Sequence, residues 1–139
     1  MARKREFDSH KVLQAAAMVF ANYGYAGSSI DMLVEKTGLQ RGSLYKAFSS
    51  KAGLFKAVLE ENLRYEDEIV ETHHIFVDLL IVAIWERARI DKDVHALVKA
   101  ALTSIKSKKK SIPDTLYRRM AKRAHLPIEL HQYNKEVTW

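Results

Sequence analysis

Apolar residues in this chain recur every three or four positions, and no segment alternates apolar and polar residues for long. That property disfavours sheets and points to helices packed along apolar stripes. Only five glycines and two prolines interrupt the pattern in 139 residues, so helix ends fall at few places. A first helix is expected over Ser9–Tyr23, capped by Ser9 or Asp8, with Val12, Leu13, Ala16, Ala17, Phe20 and Tyr23 as its stripe. Gly24 stops it. Ser28 or Ser29 caps a second helix, Ile30–Lys36, with Asp31 favourable at its positive end. Gly38 allows a sharp reversal into a third helix, Arg41–Phe48. "SSK" separates that helix from a fourth, which runs from about Lys51 to Ile69 or beyond. Three more helices are expected at about Thr72–Arg89, Lys92–Lys106 and Pro113–Ala124, followed by a loose tail.

Charge narrows the possible partners. The formal net charge is +6, unevenly distributed. Residues 1–59 hold nine Lys/Arg against four Asp/Glu, and residues 60–71 hold six acids against one Arg. Within Arg41–Lys56 there are four bases and no acid. A basic segment beside an acidic one suggests a face for a polyanion, or else a mixed solvated surface. The chain has no cysteine, which excludes disulfide frameworks and thiolate metal sites and fits a reducing compartment. "MARKREFDSH" has no apolar stretch behind its basic residues, so no secretory signal is read. The longest apolar run, Ile75–Trp85, is broken by Asp78 and is too short to cross a bilayer. A cytoplasmic protein without a membrane partner is the expectation.

The second and third helices with their glycine turn have the layout of a helix-turn-helix. Ile30, Leu33, Val34, Leu39, Leu44 and Phe48 would face the first helix. That leaves Gln40, Arg41, Ser43, Lys46 and Ala47 as a short polar face, with Gly42 where a nucleic-acid backbone could come close. Gln pairs with adenine and Arg with guanine in bidentate fashion. Tyr45 and Lys51 suit phosphates, Lys51 being helped by the amides that open the fourth helix.

The stretch "VLQAAAMVFANYGYAGSSIDMLVEKTGLQRGSLYKAFSSKAGLFKAV" (12–58) closely resembles the N-terminal domain of the TetR/AcrR transcriptional regulators. The resemblance is carried by Ala16, Ala17, Phe20, Gly24, Tyr25, Ser29, Ile30, Gly38, Ser43, Leu44, Tyr45, Phe48, Ser50, Lys51, Leu54 and Phe55, in uninterrupted order. It implies an all-α fold: a three-helix helix-turn-helix DNA-binding domain (6–66), joined by a long fourth helix to a reduced, shortened helical regulatory and dimerisation domain (67–139). It implies double-stranded DNA as partner, a homodimer on a pseudo-palindromic operator, repression, and release by a small-molecule effector. Ser29 would cap the second helix and touch a phosphate. Gln40, Arg41, Gly42, Ser43 and Lys46 would face the major groove, with Tyr45 and Lys51 on phosphates. Arg3, Lys4 and Arg5 resemble the basic arm that some members lay along DNA.

The departures from the family are few. Val34 stands where the family usually has Ala, and Ala52–Gly53 follow the Ser-Lys pair where an acid is usual. Gly53 lowers helix propensity by up to about 1 kcal/mol relative to Ala. The stretch after residue 66 is shorter than the usual C-terminal domain. This opens a second reading, a protein-interaction module that pairs with or titrates a full-length relative.

Outside that stretch the sequence offers less. His73 and His74 are adjacent and diverge on a helix, and no H-x-x-x-H pair exists, so no metal or cofactor site is expected. No residue constellation supports catalysis. Ile75–Trp85 reads as a central core helix, a ligand-pocket wall or a dimer seam, with Phe76 and Trp85 as candidate ligand contacts. The basic runs Lys106–Lys110 and "RRMAKR" (118–123) read as solvated helix faces or further phosphate contacts.

Overall fold

The structure, a computed structural model, describes residues 7–64, 73–107 and 112–127. Among them every regular element is a helix. Asp8 opens α1 (Ser9–Tyr23), its carboxylate accepting from the amides of His10 at 3.0 Å and Lys11 at 3.4 Å. Val12, Leu13, Ala16, Ala17, Val19, Phe20 and Ala21 are all buried, an arc wider than one apolar stripe. The expected stripe misplaced Tyr23, which is exposed. The wide arc results from α1 packing against three helices, α2 (Ile30–Thr37), α4 (Lys51–Arg64) and α5 (His73–Val82).

Ser29 caps α2 by accepting from Met32 N at 3.1 Å, and Gly38 closes it in the left-handed region at φ 73°. The short α3 (Arg41–Phe48) hangs from the core by fully buried Leu44 and half-buried Phe48. Its exit is tight. Ser49 takes φ 70°, Ser50 Oγ accepts from Gly53 N at 3.0 Å, and a Cβ on Gly53 would stand 2.0 Å from the Phe48 carbonyl oxygen. Gly53 is therefore required by close backbone approach, a reason that helix propensity does not reveal. Leu54, Phe55, Val58 and Leu59 carry the α4 face into the same core.

The helix expected over Thr72–Arg89 is two elements. α5 ends at Val82 and continues as a π-helical turn, Ala83–Arg87, closed by Ala88 N donating to Ala83 O at 2.8 Å. The wider turn admits one extra residue and shifts the phase of the residues after it. Phe76, Val77, Leu79, Leu80 and Ala83 enter the core, while Ile84 and Trp85 face outward. Asp91 then caps α6 (Lys92–Ser107), whose Val94, Val98, Ala101 and Ile105 are buried. The last helix, α7 (Ile112–Arg123), is tied to α5 by Arg119, which bonds the buried Asp78 through Nε and Nη2, both at 2.6 Å.

One buried cluster runs from Leu13 through α4 and α5 to Ile105. The stretches divided by sequence at residues 66 and 67 thus share a core, and the boundary itself lies outside the described residues. So do the fourth helix beyond Arg64, the basic arm Arg3–Arg5, the run 108–110 and the tail from residue 128. Among the described residues no helix is long and apolar enough to cross a membrane.

Candidate nucleic-acid interface

The reversal at Gly38 sets α3 with its outer side in solvent. Gln40, Arg41, Gly42, Tyr45, Lys46 and Ala47 are exposed and Ser43 is half-buried. Gln40 holds the cap position of α3 without a side-chain bond to the helix, so its amide is available to an outside partner. Arg41 is paired through Nη2 with Asp31 at the start of α2, both side chains being more than half exposed. An exposed pair of this kind contributes at most about 1 kcal/mol, so an outside acceptor can displace it. Gly42 has no heavy atom within 4 Å of where a Cβ would stand. The fold leaves that space open, unlike the space at Gly53.

Ser29 is exposed at the same end of α2, and its cap bond uses the oxygen, leaving the O–H to donate outward. Lys51 is placed differently from the expectation. Its Nζ donates to Tyr25 O at 3.0 Å and Ser28 O at 3.2 Å, and lies 4.4 Å from the centre of the Tyr25 ring. The ammonium ties α4 to the α1–α2 turn and does not stand free for a phosphate. Lys56 is likewise paired, with Asp93, a bond that raises its pKa above the ordinary value.

Sequence reasoning missed the residues that hold the α1–α2 turn. Tyr25 stacks on Phe20 at 6.1 Å, meets Phe55 edge-on at 5.3 Å, and carries the Arg87 guanidinium 4.3 Å from its ring centre. Glu86 accepts from Tyr25 N and Ala26 N, both at 2.8 Å. Nothing local marks these pairs, because Glu86 and Tyr25 lie 61 residues apart in the chain. Asp78 was visible as a lone acid in an apolar run, but its partner in "RRMAKR" was not.

Phe76 and Trp85 are not brought together. Phe76 is 9% exposed within the core, whereas Trp85 is 88% exposed. Nine residues apart on a helix of about 3.6 residues per turn, they stand on opposite faces. Among the described residues, no group of His, Asp and Glu side chains could hold a metal ion.

A short helix fastened by Leu44 and Phe48, with its acid-free outer face in solvent behind a left-handed glycine turn, defines a helix-turn-helix domain of the DNA-reading class. Residues 12–58 match the family model "Bacterial regulatory proteins, tetR family". Over this segment the sequence is that of a tetR-family N-terminal domain. It is 37% identical over 70 residues to an uncharacterized HTH-type transcriptional regulator, YezE, of Bacillus subtilis strain 168, covering 50% of this chain and 36% of that protein. It is 39% identical over 71 residues to the HTH-type transcriptional repressor ComR of Escherichia coli K12, covering 51% of this chain and 32% of that protein. A longer match, 25% identical over 100 residues, is to the HTH-type transcriptional repressor SCO4008 of Streptomyces coelicolor, covering 61% of this chain and 52% of that protein. The matched part thus spans about a third of the first two relatives. No solved structure matches the chain at a significant level.

Proposed function

We propose that this chain is a sequence-specific DNA-binding transcriptional regulator, a repressor acting as a homodimer on a pseudo-palindromic operator. The observation that carries the reading is the exposed face of α3. Gln40, Arg41, Gly42, Ser43 and Lys46 lie where base edges can be reached, while Leu44 holds the helix from behind. Tyr45, 41% exposed, and Ser29 supply hydroxyls at the rim for phosphates. Arg41 exchanges Asp31 for a guanine edge on binding. Two copies place their α3 helices in successive major grooves. Release occurs when a small effector changes the spacing of the two heads. An open apolar groove of about 380 Å3, lined by Ile84, Ala88, His95, Val98 and Leu102, is the place such an effector would occupy.

The test is sedimentation velocity over a concentration series, alone and with duplex DNA selected from a random pool. The expected outcome is a dimer that moves onto the selected duplex two subunits at a time, with affinity falling steeply as salt rises. A monomer that selects no duplex overturns this reading and leaves the protein-interaction module in its place.

A further inference from the structure

The turn from Gly24 to Ser29 decides where α2 begins, and so where the helix-turn-helix sits on the rest of the molecule. It is held from inside by Ser28, a fully buried residue whose Oγ donates to the carbonyl oxygens of Val19 and Gly24. From α4 it is held by Lys51. The third hold comes from the far side of the chain. The two carboxylate oxygens of Glu86 accept from consecutive amides, Oε1 from Tyr25 and Oε2 from Ala26, at 2.8 Å each. Paired bonds to a charged acceptor are strong and fix direction as well as distance.

The surroundings are shaped to this contact. Gly24 takes φ 76°, and a Cβ there would stand 2.5 Å from Glu86 Oε1. The π-helical turn Ala83–Arg87 carries Glu86 at the end of α5. The next residue, Arg87, lies over the Tyr25 ring and bonds Asp91 at 3.4 Å, and Asp91 caps α6. A continuous path therefore joins the start of α6 to the cap of α2 through Asp91, Arg87, Glu86 and the turn.

We propose that Glu86 is a positioning residue for DNA reading, the group through which the second half of the chain sets the placement of α2 and α3. This inference rests on the DNA-binding reading above. Glu86 touches no base or phosphate in it. Its effect on DNA passes through the two amides.

The experiment compares the full-length wild type with Glu86→Gln and Glu86→Ala, at a temperature well below the melting point of each. Hydrogen exchange is read at the Tyr25 and Ala26 amides, and affinity is read over a salt series on a duplex that the wild type selects from a random pool. Gln keeps one acceptor and turns an NH2 group toward the other amide, so protection should fall at one amide with Gln and at both with Ala. Affinity should fall about tenfold with Ala, within the usual range of coupling between sites, and less with Gln. The salt slope should not change, because no phosphate-binding cation is lost. Faster amide exchange with unchanged affinity would reduce Glu86 to a structural tie and overturn the proposal alone. A changed salt slope would overturn it too, by making Glu86 part of the DNA contact surface. A wild type that selects no duplex would overturn the DNA-binding reading itself, and this inference with it.

Discussion

Two glycines show how the same residue type answers to different demands. Gly53 sits against the Phe48 carbonyl, so the fold requires it. Gly42 faces open space in an exposed helix, so the fold alone does not. Gly42→Ala should therefore stabilise the free protein by up to about 1 kcal/mol, raising its melting temperature. If DNA approaches the backbone there, the same variant should bind the selected duplex more weakly. A variant both more stable and equally tight would remove Gly42 from the interface. Arg41→Ala should weaken the selected site by about 1–3 kcal/mol and relax preference at one base pair, read by competition among single-base variants of the duplex. Lys51→Ala should act on stability instead. It strips a charged donor from Tyr25 O and Ser28 O, a loss of about 1–3 kcal/mol in denaturant unfolding, with the salt slope of DNA binding kept. A slope lower by about 1 with stability intact would return Lys51 to the phosphates.

Among the helices, the ends decide most of what can be measured. Asp91 caps α6 by accepting from Asp93 N at 3.0 Å and Val94 N at 3.2 Å. The Val94 amide is the main reason that its carboxyl lies below the ordinary value of 3.8, with the Asp93 amide, the charge of Lys56 and the hydrogen bond from Arg87 adding to it. A carboxyl that holds its proton less tightly when folded stabilises the fold fully above its unfolded value, and that contribution fades as pH falls through its lower folded value. Asp91→Ala should cost about 1 kcal/mol at neutral pH, with the difference from wild type shrinking as pH falls from the ordinary value of 3.8 through the lower folded value. Unfolding curves over a pH series give the comparison directly. Ends of this kind are also what the sequence made legible. Asp8, Ser29, Gly24 and Gly38 act on amides and carbonyls within four residues, so their type and spacing suffice to place α1, α2 and the start of α3. The outer face of α3 was legible for the same reason, since one buried leucine and its neighbours define both sides. The π-helical turn was not, because continuous apolar residues hide a change of phase. The partners of Lys51, Glu86 and Asp78 were not either, because each is set by packing between distant segments.

In the whole molecule the last helix is fastened by charge as well as by apolar contact. Asp78 is buried in α5 and meets Arg119 at 2.6 Å and Arg123 at 3.2 Å, while Arg123 also bonds the Asn22 carbonyl of α1 at 2.8 Å. The Asp78 bond raises the pKa of the Arg119 guanidinium above its ordinary value. Asp78→Ala removes the buried acceptor of the Arg119 bonds, and since Arg119 is partly exposed the loss should be about 1–3 kcal/mol in denaturant unfolding. Replacing Asp78 and Arg119 together by apolar residues of similar size should recover much of that loss. If the single variant unfolds like wild type, α7 is not held by this pair.

The breadth of the buried arc on α1 bears on how such proteins arise. α1 serves α2 and α4 within the matched segment and α5 beyond it. A gene fusion that moved residues 12–58 alone onto a foreign protein would deliver the reader with the α5-facing side of α1 bare. The graft would be soluble and properly set only if its new host offered a fitting helix. Residues 12–58 by themselves should thus be less stable than the whole chain, because α1 loses the cover that α5 gives it.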